Sequence, residues 1–546
     1  MPLHVHGHAR VEHLASALAR DLAASSLDPF AVAPIVVGSR GMERWLRHQL
    51  ATAHGIAANL AFPFPRQALD GMALRILGVA GGGPWWQPDD ASRAFGAERL
   101  TLPVWQALRA RAGHPAFADA AAYLDLAAPA QTGVSARQWA FARQVGDVVD
   151  KLMHDRHREA LRWARDPAAA GEHAWLAHLL GDVGALHDRS PARVRERLDR
   201  AQPSASHTEG HVLRLFCLST LGPADRELLA ALARHVPVVV YALAPSHQWW
   251  TDLRSNREAA RALARAADVG ERSRVLADLA TQNALLGQLG APSRDMQAWI
   301  EAQDYTEGTG PAPVGEPERS TALGWLQGWV GDAAPMDTAM PPELVGDGSV
   351  ELLSCWGALR QAEVLRDRLL DLFQRFPGEV APRDVLVMTP DAQRFAPLVA
   401  AVFARRGRGR AADGTSLELP AIPVHIADMG LRRTNPVAEA LIAVLALAEG
   451  RVSAPAVFDL LELEAVQTRL GLQADDVADL RTLVDASGMR WGLDASDRGA
   501  AGQPELDQNT LEFGLERLAC GVLMAPIAPG EVASAEGRAL APHPVE

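Results

Sequence analysis

The stretch Pro34 to Pro65, PIVVGSRGMERWLRHQLATAHGIAANLAFPFP, constrains the fold more than any other part of the sequence. Ile35 to Val37 form a short β-branched apolar run suited to a buried strand, and Gly38 and Gly41 bracket a turn. Met42, Trp45, Leu46, Leu50 and Ala53 then recur at helical spacing up to a Gly55 stop. A strand that feeds a helix through a glycine turn is where a nucleotide-binding α/β fold would open. Such a turn holds phosphate when its amides cradle the anion, a lysine reaches the β/γ-phosphates and a Ser/Thr hydroxyl reaches Mg²⁺. Neither side chain stands here, Lys151 is the only lysine in the chain, and its surroundings, GDVVDKLMHD, contain no glycine loop. The sequence excludes a Walker A site.

At 546 residues the chain exceeds a single core, so several domains are expected. With 48% hydrophobic and 22% charged residues it is globular rather than disordered. Apolar runs such as VPVVVYALA from Val236 are too short to span a membrane. The opening MPLHVHGHARVEHL lacks the basic and apolar regions of a secretory signal, and a cytoplasmic protein is expected. Cys217, Cys355 and Cys520 are isolated, which supports neither a disulfide framework nor a cysteine zinc site. The net charge of −13 argues against a general nucleic-acid coat held by phosphate neutralisation. A local channel needs positive charge only on its walls, and arginines gather at Arg40 to Arg47, Arg156 to Arg165 and Arg405 to Arg410. Each cluster fits either such a wall or a solvated helix face.

Along the chain, residues 3 to 7 predict a strand, and Val11, Leu14, Ala15, Leu18 and Leu22 one face of a helix. His4, His6 and His8 alternate at strand spacing without a carboxylate or cysteine partner and are expected at a strand edge rather than on a metal. A helix over 66–77 precedes a Gly/Pro loop in which Trp85 and Trp86 either stack single-stranded bases or pin the loop to a core. Asp89 and Asp90 fit helix capping better than Mg²⁺ binding. Residues 91–205 are expected as an all-α insertion, with Leu152, Leu161, Leu179, Leu180 and Leu186 buried. Strands return at Val212 to Leu218 and Val236 to Leu243 around a helix from Ala224 to His235. Where an ATPase would carry paired acids at the end of the first of these strands stand Cys217, Leu218, Ser219 and Thr220. Ser39, His48 and Asp70 have triad residue types, but no nucleophile elbow surrounds Ser39. A Gly/Pro-rich connector over 302–348, with a helical piece at Ala322 to Val330, separates this α/β unit (1–90 and 206–301) from a second over 349–434. The second unit is predicted to contain strands Val350 to Ser354 and Val385 to Thr389, flanking a helix with Leu365, Leu369, Leu372, Phe373 and Phe376 on one face; residues 435–546 read as mainly helical.

GMERWL followed by GIAANLAFPFP resembles the N-terminal signature of the RecC family, the gamma chain of exodeoxyribonuclease V. Collinear matches continue with NALLGQLG near Asn283, EVLRDRLL from Glu363, PRDVLVM from Pro382, HIADMGLRRTNPVAEAL from His425 and SGMRWGLD from Ser487. The resemblance implies an α/β chain of two superfamily 1 helicase-like units of P-loop-type topology, with their ATPase motifs lost and all-α insertions added. It further implies a non-catalytic subunit of a heterotrimer with RecB-like and RecD-like partners, which use ATP and Mg²⁺, while this chain holds no cofactor. The implied ligands are single- and double-stranded DNA ends, with the 3′ strand guided through a tunnel and a Chi-like sequence recognised on it. Because family members continue further, the chain resembles an N-terminal fragment without the nuclease-like region.

The family's tunnel-wall positions fall on two segments. At Gly38, Arg40, Arg44, Phe64 and Asp70 family members carry Gln, Thr, Gln, Leu and Trp, so only Phe64 keeps its character. In GDVVDKLMHDR, Asp147, Asp150 and Arg156 match the family pattern, while Val148 and Lys151 replace leucine and glutamine. The implied DNA-binding set is Arg40, Arg44, Phe64, Asp147, Val148, Asp150, Lys151 and Arg156. Arginine forks suit guanine or phosphate, and aspartate can accept from cytosine N4 or hold an arginine. On the residues alone, the second segment equally fits a helix with surface charges. A scaffold that binds partner subunits but no longer touches DNA is the alternative reading.

Overall fold

A computed structural model of the chain describes residues 3–25, 30–79, 83–87, 93–126, 134–202, 210–308, 319–335, 337–410, 416–426, 435–523, 533–535 and 538–540. The chain divides into two compact units, Met1–Leu353 and Ser354–Glu546.

The first unit is built on a six-stranded sheet of β1 (Leu3–His8), β2 (Ala33–Val37), β3 (Leu60–Ala61), β4 (Leu213–Phe216), β5 (Val238–Leu243) and β6 (Tyr305–Glu307), in the order β3-β2-β4-β5-β1-β6. All pairings are parallel. Side chains alternate across the sheet. Ile35, Val37, Phe216, Val239 and Tyr241 point to one face, where they pack with Leu14 and Leu18 of α1 (Val11–Ala24) and Leu46 and Leu50 of α2 (Arg40–His54). Val36, Leu213, Leu215, Val238 and Val240 point to the other, against α3 (Pro65–Ile76) and later helices. The face follows from the connection: β1 to β2 and β2 to β3 run one way along the sheet, while β3 to β4 and β4 to β5 run back. Right-handed crossovers then place their helices on opposite faces. Each fully buried Leu or Val contributes about 1.5–3 kcal/mol. A buried charge enters the sheet, Arg214 on β4, and it is compensated. Its Nε donates to Asp21 Oδ2 at 2.7 Å, and the Tyr241 hydroxyl donates to the same oxygen at 3.1 Å.

Between α3 and β4 lies a helical region with a core of its own. Its helices include α4 (Ala97–Ala110), α5 (Ala136–Asp155), α6 (His157–Arg165), α7 (Ala174–Asp182) and α8 (Pro191–Arg200). Leu100, Val104, Val149, Met153, Leu161, Leu179 and Leu180 fill that core. Leu152 is partly buried, and Leu186, expected inside, is 40% exposed because the chain has left helical conformation at Val183. α5 opens on a capping box in which Ser135 and Gln138 each accept from the other's backbone N–H. Trp85 is buried and packs edge-on against Trp86, so this pair pins its loop to the core rather than offering an open platform. The loop crosses α3 so closely that a Cβ at Gly71 would lie 1.9 Å from the Trp85 carbonyl oxygen. After β4 comes α9 (Pro223–Leu232). The helical piece expected near 322 forms as Ala322–Gly331 and is tied back to this unit, because the buried Asn283 amide donates to the Trp329 and Ala334 carbonyls.

In the second unit, helices Ala358–Arg375 and Ala392–Phe403 bury Ala362, Leu369, Val399, Val402 and Phe403 between them. Of the other residues expected on the first helix's apolar face, Leu365, Leu372 and Phe373 are partly buried and Phe376 is 41% exposed at its end. The strands predicted at Val350 to Ser354 and Val385 to Thr389 do not form. A β-branched run becomes a strand only when another strand takes its backbone groups, and neither segment joins a ladder among the described residues. Leu352, Leu386 and Met388 are instead 96%, 82% and 84% exposed. β7 (Gly407–Arg410) and β8 (Ser416–Leu419) pair with each other as an antiparallel hairpin. From Pro436 the described residues are mainly helical, as the periodicity predicts. Among the described residues, no helix is long and apolar enough to cross a membrane.

Candidate nucleic-acid interface

β2 and β4 are neighbours, and the chain leaves them in opposite directions, toward β3 and toward β5. Their carboxyl ends therefore flank a crevice of the kind in which open α/β sheets take ligands. Gly38, Ser39 and Arg40 stand on one side of it, and Cys217 and Leu218 on the other. Ser39 Oγ accepts from the Met42 N–H at 3.1 Å and caps α2. His48 is exposed on the helix and Asp70 bonds to His154, so Ser39, His48 and Asp70 do not assemble. Burial pushes the Cys217 thiol up to about 12, which leaves it no thiolate character near neutrality.

The crevice rim is cationic and aromatic. The Arg40 side chain is 78% exposed, with its guanidinium 5.8 Å from the centre of the Phe64 ring and 3.6 Å from Glu43. Phe64 is 40% exposed at the entry to α3. Arg44, one turn beyond Arg40 on the same helix face, is also exposed. Arg47 by contrast is held, 3.2 Å from Glu43 and stacked 4.7 Å from the Phe62 ring centre. An exposed ring beside exposed guanidinium donors is the equipment for stacking a base and neutralising its phosphate.

The two candidate segments meet through α3. Arg66, in its first turn, donates to Asp150 Oδ1 on α5, and one turn later Asp70 Oδ2 lies 3.1 Å from His154 Nε2. His154 Nδ1 lies 2.9 Å from the Asp150 carbonyl oxygen and 3.4 Å from its carboxylate. A doubly protonated ring donates to Asp70 through Nε2 and toward Asp150 through Nδ1, against the opposition of Arg66 Nη2, itself only a donor, 2.5 Å from the same Nδ1. On α8, Arg195, 3% exposed, reaches Asp70 at 3.2 Å and Asp225 of α9 at 2.9 Å. The result is one ion-pair network spanning α3, α5, α8 and α9. Burial raises the Asp70 carboxyl, but His154 and Arg195 outweigh it and hold the carboxyl at about 2. Asp150 follows the same logic: burial opposes its charge, and bonds from His154 and Arg66 lower it nonetheless. For His154, burial favours the neutral ring, and the two carboxylates reverse that and raise it above 6.5. Asp225 is raised by burial despite Arg195.

The remaining candidates on α5 lie at the surface. Asp147 and Lys151 form an exposed i,i+4 pair at 2.6 Å, Val148 is 45% exposed, and the 72% exposed Arg156 side chain stands 3.5 Å from Glu159. Asp150 alone of this set is buried, at 3%. The sequence reading missed Arg66, His154, Arg195 and Asp225. His154 could have been found four residues after Asp150, whereas nothing local ties Asp70 to Arg195, 125 residues away. Among the described residues, no cluster of three or more His, Cys, Asp or Glu could hold a metal ion. His6 stacks on Tyr241 at 5.0 Å, His4 is exposed on β1, and Asp89 and Asp90 lie outside the described residues.

Comparison with known proteins matches the chain to two family models, the RecC N-terminal domain over residues 3–330 and the RecBCD enzyme subunit RecC fourth domain over residues 434–543. Similar curated proteins include the RecBCD enzyme subunit RecC of Mycobacterium tuberculosis, 31% identical over 96% of this chain, and that of Mycolicibacterium smegmatis, 30% identical over 96%. The Escherichia coli protein of the same name is 24% identical over 91%. The chain spans 46% of the length of each of these relatives. Because the first model alone covers more than half of the sequence, the chain belongs to the RecC family.

Proposed function

We propose that this chain acts as the non-catalytic RecC-type subunit of a RecBCD-like helicase-nuclease in recombinational double-strand-break repair, in the cytoplasm. In this reading it is a helicase-like scaffold that helps split a DNA end, channels the 3′ strand and recognises a Chi-like sequence. RecB-like and RecD-like partners supply ATP hydrolysis and Mg²⁺-dependent cleavage. The observation that carries it is the pairing of Arg40 with Phe64 at the carboxyl-end crevice of a RecC-family sheet. Arg44, Asp147, Val148, Lys151 and Arg156 extend the contact surface, and the buried Asp150 holds Arg66 and the α5 backbone in place behind it. The burial of Asp150 also favours the second reading, a partner-binding scaffold without DNA contact, since a residue matching the family pattern there serves packing.

Photocrosslinking of a single strand in the reconstituted complex separates the two. Crosslinks at 38–64 and 147–156 are expected, and crosslinks confined to the partner subunits would favour the scaffold. The isolated chain should bind DNA poorly, because a net charge of −13 opposes phosphate everywhere except on the contact surface.

A further inference from the structure

A separate cavity of about 340 Å³ opens between α6, α8 and α9, lined by His157, Arg158, Arg195, Asp199, Glu227 and Arg234 among others. Its polar groups are unevenly used. His157, 7% exposed, has a buried Nε2 with no hydrogen-bond partner, and Arg195 has a buried Nε in the same position. Arg158 and Arg234 reach toward Asp199, but at 3.6 and 4.0 Å they are beyond N–H···O hydrogen-bonding range. Guanidinium groups can only donate. The site therefore carries an excess of unspent donors, and burial together with Arg195 and Arg158 keeps His157 below its ordinary value, so its ring is neutral and can donate through Nε2. Such a site calls for a ligand rich in acceptors and free of donors. The lining sets three guanidinium groups, Arg158, Arg195 and Arg234, against the two carboxylates of Asp199 and Glu227, which leaves its balance positive.

We propose that this cavity binds a phosphate group, with Arg158 and Arg234 closing on it from the exposed mouth and His157 Nε2 donating from the buried wall. The group can arrive as free inorganic phosphate or as part of a nucleic-acid backbone. Both sources share one chemistry. The test uses the full chain with ¹³C-labelled histidine, the His157 ring signal being assigned through His157→Gln. Sodium phosphate and a short thymidine oligonucleotide are titrated separately.

A saturable shift of the His157 signal is expected. Arg158→Ala and Arg234→Ala should each raise the half-saturating concentration about tenfold, the loss of one charged hydrogen bond. Both arginines are exposed, and the unliganded His157 signal itself reports whether each variant is folded. A response to phosphate alone would identify a free-anion site, and a response to the oligonucleotide alone a backbone contact; either supports the proposal. No response to either probe, or a response unchanged in both arginine variants, would overturn it.

Discussion

Arg40 on α2 and Asp150 on α5 belong to the same candidate surface and are held in opposite ways. Arg40 stands in solvent, restrained by one ring and one glutamate. Asp150 is 3% exposed, with its carboxylate engaged by Arg66 and His154. The difference follows from the cost of removing charge from water. A buried carboxylate survives only with cationic partners, so its replacement disturbs Arg66, His154, Asp70 and Arg195 together. An exposed arginine has no such dependants, and the turn that carries it can exchange residues with little effect on the fold. Arg40 and Arg44 stand where the fold tolerates change.

The comparison breaks most readily at Arg195. Arg195→Met leaves Asp70 and Asp225 without their shared cation, and a loss of about 3–5 kcal/mol is expected, the usual result of removing one partner from a buried pair. Hydrogen exchange of amides in α3 and α5 measures it without contribution from the second unit. A loss below about 1 kcal/mol would mean that water already solvates the network and that the contrast with α2 is false. Asp150→Asn should cost less, about 1–3 kcal/mol, because the amide still accepts from Arg66 while the charge that balances it is gone.

The pH dependence sharpens the same contrast. His154 is raised above 6.5, so its contribution is full below that pH and is lost as pH rises through its folded value. Asp70 is lowered from 3.8 to about 2, so its contribution is full above 3.8 and is lost as pH falls toward 2. His6, His157 and His235, which burial lowers, act in the opposite sense to His154. The informative quantity is therefore the difference between the native chain and His154→Gln. That difference should be largest near pH 5 to 6 and shrink toward pH 9, as read from denaturation midpoints. A constant difference across this range would show that His154 titrates alike in the folded and unfolded chains, and a difference that grows toward pH 9 would show that its folded ring is held neutral.

Much of the first unit was legible in the sequence, because β2, β4 and β5 are apolar runs bounded by turn residues and their helices carry a clear 3.6-residue stripe. The second unit was less so. Val350 to Ser354 and Val385 to Thr389 have strand composition, but composition does not supply a neighbouring strand, and the described residues give them none. The same limit governs the candidate site. The helical spacing of Asp147, Lys151 and Arg156 reads directly as a charged face, and Ser39 reads as a cap. That Asp70 would meet His154 and Arg195 depends on how a helical region returns to the sheet, which no local pattern encodes. Arg66, the residue joining the two halves, drew no attention because a single arginine after a proline is unremarked in an arginine-rich chain.

The smallest effect on stability, and the most direct probe of what the exposed side of the comparison does, is expected at α2. Arg40→Thr and Arg44→Gln should each change stability by no more than about 0.5 kcal/mol, since Arg40 contributes only an exposed ion pair and a ring contact and Arg44 is a surface residue. Their effect on recognition should be larger. Donor-only forks favour guanine O6/N7 or phosphate, whereas a hydroxyl and an amide both donate and accept. Each good bidentate contact is worth roughly 1–3 kcal/mol of discrimination. In a complex rebuilt with both substitutions, the sequences at which degradation attenuates on a DNA library should therefore shift away from guanine. A loss of binding that is equal for all sequences would mean that the arginines hold phosphate. An unchanged preference with unchanged binding would mean that they contact no DNA, and that any readout rests on Asp147, Val148, Lys151 and Arg156 across the α5 surface.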